Sequence, residues 1–266
     1  MSEIGGDRAP VSLRIRSGVF FTDPPPSRYC CTLSREAFRN LKSRRIQVDE
    51  LWAFVGAKQK NLTSENMALG AVGDVWLWVA IDAETKIVPS WFFGDRSAAS
   101  AFPFMNRSGR LTSRVQLTSD GYRVYLGAVE DAFGTNIDYA MLVKIYGESG
   151  DTQKRYSPGI CTGCKRQSVT GNPDENHIST SYVERQNLSV RMTNRRYTRL
   201  TNAFSKKIEN HAASVALGYF AYNFIKIHRT PRMTPAMAAG VTHRLWEVSD
   251  LVELIEADEQ REERVA

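Results

Sequence analysis

The order in which apolar periodicities follow one another along residues 46–146 constrains the fold more than any other feature of this chain. The stretches IQVDELWAFVGA (46–57), GDVWLWVAID (73–82) and KIVPSWFFGD (86–95) are rich in β-branched and aromatic residues. Turn chemistry at Asp82-Ala83-Glu84-Thr85 separates the last two, so the three stretches predict an antiparallel meander. A helix is predicted from about Ala98, perturbed near Pro103. VQLTSDG (115–121) predicts a short buried strand that ends in a polar turn. YRVYLGAVEDAFG (122–134) has helical spacing, with Val124, Ala128, Val129 and Ala132 on one side and Gly134 as a stop. Residues 138–146 predict another strand, and strand, helix, strand implies a parallel crossover pair. The expectation is an α/β chain with a mixed five-stranded sheet flanked by helices.

The flanks are less regular. Residues 1–45 carry Gly5-Gly6, the run Pro24-Pro25-Pro26 and scattered arginines, with a short helix predicted over Ser34–Leu41. Residues 147–177 hold Gly, Pro and Ser without periodicity and read as a long loop. Helices are predicted over about 179–196 and 203–228, the second stopped before Pro231. The acidic stretch from Glu247 to Glu263 reads as a solvated helix or tail. The N-terminus has no apolar segment of secretory type, and no run reaches the roughly 18 apolar residues of a membrane span. Of the four cysteines, Cys30, Cys31, Cys161 and Cys164, the adjacent Cys30 and Cys31 read poorly as a disulfide framework. The expectation is a soluble, cytoplasmic chain with free thiols. The net charge of +6 favours a polyanionic partner.

Three carboxylates are candidates for chemistry. Asp49 lies inside the first strand, amid Val48, Leu51 and Trp52, where an idle charge is costly. Asp120 stands at the exit of a central parallel strand, where open α/β sheets place ligands. Glu184 falls on the helix after the long loop. Each has a plainer role open to it: Asp49 as a solvated edge residue, Asp120 as turn chemistry in Thr-Ser-Asp-Gly, Glu184 as the glutamate of a capping box begun by Ser181. Asp74, Asp82 and Asp95 read as turns or strand ends. If the first and fourth strands are neighbours, Asp49, Asp120 and Glu184 converge. Paired divalent cations held there suit phosphodiester cleavage, and oxygen ligands suit magnesium.

The string RRIQVDELWAFVGAKQKN (44–61), then GDVWLWVAID (73–82), LTSDGY (117–122), HISTSYVERQNLSVRMTNRRYTRLTNAFSKK (177–207) and YNFIKIHRTPRMTPAMAAG (222–240) resemble the catalytic domain of the insertion-sequence-one family of bacterial transposases. The resemblance runs from about Arg44 to Gly240 in order, and Tyr-Val-Glu-Arg-Gln-Asn is its most specific part. It implies a ribonuclease-H-like fold with an Asp-Asp-Glu triad at Asp49, Asp120 and Glu184, holding Mg2+, with Mn2+ as a substitute. It also implies a basic residue seven positions after the glutamate, here Arg191, with Asn187 on much the same helix face. The implied activity is cleavage at element ends and strand transfer into target DNA, by a homo-oligomer on paired ends in a nucleoid-associated setting. The domain boundaries that follow are an N-terminal region 1–45, a catalytic domain 46–240 and an acidic tail 241–266. Residues 1–43 depart from the family, which carries a zinc-binding and helix-turn-helix recognition region there.

Arg185, Arg191, Arg195, Arg196, Arg199, Lys206 and Lys207 follow with no acid between them. With Asn187 they are the candidate DNA contacts, of the kind that position a phosphate backbone without reading sequence. Cys161-Thr-Gly-Cys164 has the spacing of half a zinc site, with His177 and the Cys30/Cys31 pair as distant partners; free loop thiols are the default. His211 and His228 sit in an apolar helical pattern and read as packing or polar-contact residues. Two other functions share these features: a ribonuclease-H-like nuclease without strand transfer, and a non-catalytic DNA-binding remnant or regulator.

Overall fold

In the computed structural model the described residues are 38, 41–108, 114–147, 161–198 and 201–265. Six strands form one sheet: β1 (Arg45–Val55), β2 (Gly73–Asp82), β3 (Ser90–Gly94), β4 (Val115–Asp120), β5 (Ile137–Tyr146) and β6 (Cys161–Thr170). Their order is β3-β2-β1-β4-β5-β6. β1, β2 and β3 form the antiparallel meander, and β4 and β5 join it in parallel to β1. This is the ribonuclease-H-like arrangement, with β1 as the central strand shared by the two halves.

The sheet has one strand more than expected. Residues 161–170 pair antiparallel with β5, where the sequence predicted part of a loop. Every residue of β6 is exposed or half-exposed. It therefore carries no apolar alternation, which is the signal by which a strand is read from sequence. Its Lys165 and Arg166 also discourage further pairing at the sheet edge.

Alternation along β1 and β2 separates two cores. Ile46, Val48, Trp78 and Ala80 face the helices α2 (Ala98–Ser108) and α3 (Val124–Phe133), burying Phe104, Met105, Tyr125, Ala128 and Val129. A short helix, α1 (Ser64–Ala68), precedes these in the β1–β2 connection. Pro103 does not interrupt α2, which runs through it. Leu51, Ala53, Val55, Leu77, Val79 and Ile81 face the opposite layer, made by α4 (Ser181–Thr193) and α5 (Ile208–Phe220) through Val183, Ala212, Val215 and Tyr219.

The predicted helix 203–228 begins later, at Ile208, and continues beyond Phe220 as one π-helical turn over Ala221–Ile225. A third cluster, with Phe38, Leu41, Phe220, Phe224, Ala236 and Leu251, joins that end to α6 (Pro235–Ala238) and α7 (Val248–Val265). Of the helix predicted over Ser34–Leu41 only Phe38 and Leu41 are described. No helix among the described residues is long and apolar enough to cross a membrane.

His211 is a polar pin in this α5 layer, as its place in an apolar pattern suggested. It is fully buried and pairs through Nδ1 with Ser205 Oγ at 2.9 Å and through Nε2 with the Tyr197 hydroxyl at 3.0 Å. Burial, assisted by the nearby Arg196 charge, lowers its pKa to about 4. The folded value thus lies below the unfolded one near 6.5, so on acidification the unfolded chain takes up the proton first. Above pH ~6.5 this costs nothing; between pH ~6.5 and ~4 it removes stability progressively, by up to about 3 kcal/mol. Denaturant midpoints measured across that window should fall more steeply for the wild type than for His211→Gln. Equal slopes would mean that His211 does not drive the acid sensitivity.

Candidate active site

The site forms where two strands part. The parallel ladder between β1 and β4 consists of the pairs Arg45 with Gln116, Ile46 with Leu117 and Gln47 with Thr118. Asp49 and Asp120 each stand two residues beyond the last pair, on the same face of the sheet. They project into the fork between the diverging strands. Oxygens of Asp49, Asp120 and Glu50 lie within 4.8 Å of one another. Glu50 reaches the cluster from the opposite face of β1, where its side chain is almost fully buried.

Such proximity is electrostatically expensive. Burial first, then the charge of Asp120, raises the Asp49 pKa to about 6, against hydrogen bonds that lower it. Burial raises Glu50 to about 7. The Glu50 carboxylate accepts from Arg96 Nε at 3.1 Å. Arg96 lies between Trp76 and Tyr122, its guanidinium carbon 4.8 and 4.4 Å from the two ring centroids. Glu50 Oε1 and its buried neighbour the Tyr125 hydroxyl complete no hydrogen bond of good geometry.

Asp120 performs the turn role as well: its Oδ1 accepts from Tyr122 N at 2.9 Å. Gly121 follows, and a Cβ there would stand 3.2 Å from Val143 Cγ2, so a larger residue would crowd β5.

Glu184 lines the same cavity, of about 520 Å3, together with Asp49, Arg96, Asp120, Tyr122, Lys144 and Tyr146. Its carboxylate stands outside the close cluster and is already occupied. Oε1 accepts from Lys144 Nζ at 2.6 Å and from Thr180 Oγ1 at 2.5 Å. No capping box forms with Ser181, because the helix N-cap is Thr180. Burial alone would lower the Lys144 pKa; the Glu184 carboxylate outweighs it and raises the value.

Two side-chain amides, Gln47 on β1 and Asn187 on α4, tie the helix to the strand. Gln47 Oε1 accepts from Tyr182 N at 2.8 Å and Val183 N at 3.1 Å, so a β1 side chain receives two of the free N–H groups in the first turn of α4. Asn187, one turn further on, donates Nδ2 to Asp49 Oδ2 at 2.8 Å. Asn187 is buried, so its expected contact with DNA gives way to orienting Asp49.

The other expected DNA contacts do not form one helical face. α4 ends at Thr193, and Asn194 is extended (φ −114°, ψ 102°), which breaks the predicted helix after Arg185 and Arg191 and before Arg195 and Arg196. Arg195 and Arg196 lie on a 3-10 turn (Arg195–Tyr197) that borders a separate cavity of about 590 Å3 between α4 and α5. Arg196 is half-buried and donates to Ser205 Oγ at 3.0 Å. Arg185, Arg195, Lys206 and Lys207 are exposed and Arg191 is half-buried. Arg199 lies outside the described residues.

Sequence reading missed Glu50, Arg96 and Lys144. Glu50 was visible as the second acid of Val-Asp-Glu, but strand alternation assigns it to the other face. Arg96 and Lys144 had no signal of their own.

The donor set fits a hard divalent cation. It consists of carboxylate groups, those of Asp49 and Glu50 with raised pKa, beside a buried Asn187 Oδ1 that has no hydrogen-bond partner among the described residues. Asp49 and Asp120 would hold Mg2+ or Mn2+, with Glu50 beneath them and Glu184 across the cavity.

No family model and no curated protein matches the chain. Among solved structures it is similar to Endonuclease_V from Bacillus subtilis, at 14% identity and a TM-score of 0.25, over 73% of this chain and 91% of that one.

Because Gln47 alone accepts both amides, Gln47→Ala should strand them and cost about 1–3 kcal/mol. Amide exchange at Tyr182 and Val183 should accelerate well before global unfolding. Unchanged exchange at these two positions would assign the anchoring of α4 to its apolar face alone.

Proposed function

We propose that this chain is a transposase catalytic domain, cleaving DNA strands at element ends and joining them to target DNA. The observation that carries the proposal is the placement of Asp49 and Asp120 at the parting of neighbouring parallel strands, with Glu184 facing them across one open cavity. The resemblance through Tyr182-Val183-Glu184-Arg185-Gln186-Asn187 supports the finer reading.

In this reading Asp49 and Asp120, with Glu184 across the cavity, would hold Mg2+. Bound divalent cations supply a nucleophile deprotonated near neutral pH and stabilise the leaving oxygen. Asn187 fixes the orientation of Asp49 through its amide. Gln47 fixes which turn of α4 faces β1. Lys144 balances Glu184 and presents a cation to the phosphate in the same cavity. Arg96 balances Glu50 and keeps the floor of the cluster from accumulating net charge. Exposed Arg185, Arg195, Lys206 and Lys207 attract the rest of the backbone without base readout.

Glu184→Gln and Asp49→Asn each keep size and remove a charge, so magnesium-dependent joining of a precut end to plasmid should fall by orders of magnitude in both. DNA binding measured in parallel should persist. Wild-type joining retained in Glu184→Gln would remove that residue from the catalytic set; hydrolysis without joining in the wild type would favour a nuclease.

Salt dependence tests the interface separately. Replacing Arg185, Lys206 and Lys207 with alanine should reduce the log–log salt slope of DNA binding by about 0.9 for each phosphate that is no longer neutralised. An unchanged slope would place the DNA path away from these residues.

A further inference from the structure

We propose that Cys161 and Cys164 form a two-thiolate chelate for a soft divalent cation of the zinc type, at the border of the acidic cavity. The inference rests on strand register and does not depend on the functional reading above.

On β5 and β6, Lys144 is matched to Cys164 and Ile145 to Gly163, but Tyr146 is matched to Cys161, with an irregularity between Ile145 and Tyr146. Two steps along β5 are therefore answered by three along β6. In a regular strand, residues three apart point to opposite faces. The extra residue cancels that alternation and returns Cys161 to the side of Cys164.

The two Sγ atoms are 4.0 Å apart. Sulfurs bound at ~2.3 Å to one tetrahedral cation stand about 3.8 Å apart, whereas a disulfide requires ~2.05 Å. The pair is thus close to chelating geometry and far from bonded geometry. Both thiols are free and exposed, so an ion has access. The competing contact is weak: Cys161 Sγ donates to Gly163 O at 3.3 Å.

Donor chemistry separates this pair from the carboxylates. Thiolates select zinc or cadmium, and the all-oxygen cluster selects magnesium or manganese. Two thiolates leave two coordination positions for water. Among the described residues no histidine or carboxylate is grouped with the two thiols as a third ligand. Cys164 is the cross-strand partner of Lys144, whose amino group holds Glu184. An ion on the thiols would therefore fix the irregular end of β6 beside Lys144 and Tyr146, which line the cavity.

The test is Cd2+ titration of the reduced full-length chain in excess Mg2+, read by sulfur-to-cadmium charge-transfer absorption. Zn2+ affinity is measured alongside by competition with a chromophoric chelator. One Cd2+ per chain should bind, and Cys161→Ser or Cys164→Ser should each weaken both ions about tenfold or more. The Cys30→Ser/Cys31→Ser double variant and Asp49→Asn should bind as the wild type does. Thermal melting of the serine variants, whose substitutions lie on an exposed edge, should be unchanged without metal. Binding retained in Cys164→Ser, or abolished in the Cys30/Cys31 variant, overturns the proposal.

Discussion

The side chain of Gln47 holds the two halves of the candidate site in one geometry. It belongs to β1, on the same face as Asp49, and its carbonyl oxygen receives two main-chain N–H groups of α4. Without it the helix would rest on the sheet through Val183 and its apolar neighbours, which fix a layer spacing but not a rotation. The amide contact is directional, so it sets the turn of α4 that faces the sheet. The second amide, Asn187, closes a loop from strand to helix to carboxylate. Glu184 and Asp49 are thus fixed relative to each other by two hydrogen-bonded side chains, neither of them acidic.

Around this frame the charges are only partly balanced, and the way they are is informative. Asp49, Glu50 and Asp120 crowd together, while Arg96 answers Glu50 and Lys144 answers Glu184. Among the described residues no basic side chain forms an ion pair with Asp49 or Asp120. These two are the acids on the open side of the fork. Cations are supplied at the floor and at the far wall, and the negative charge is left where a ligand can enter. Arg96 is kept at its post by aromatic faces on both sides, which limit its freedom to reach further into the cavity.

Much of this was legible in the residues, for physical reasons that also explain what was not. β1, β2 and β4 are buried enough for period-two patterns to show, and Asp49 and Asp120 interrupt apolar strands at positions where charge is costly. β6 is exposed along its length, so its residues answer to register with β5 instead of to burial, and register is not written in composition. Glu50, next to Asp49, was missed because alternation sends adjacent side chains apart. The opening of the ladder just before it lets both reach Asp120. The arginines after Met192 looked like a continuing helix because their spacing allows one; Asn194 leaves the helical region and accepts from Arg196 N instead. Side-chain competition for a backbone N–H decided that boundary.

The parting of β1 and β4 has a consequence for how such a chain can vary. Asp49 and Asp120 are set by main-chain hydrogen bonds at the centre of the sheet, in the three pairs upstream of the gap. Insertions in the β1–β2 connection, remodelling of the edge strand or exchange of the terminal helices would act at positions removed from those pairs. The spacing of the two acids is in that sense inherited from the sheet, and the periphery is left free to diversify in what it recognises.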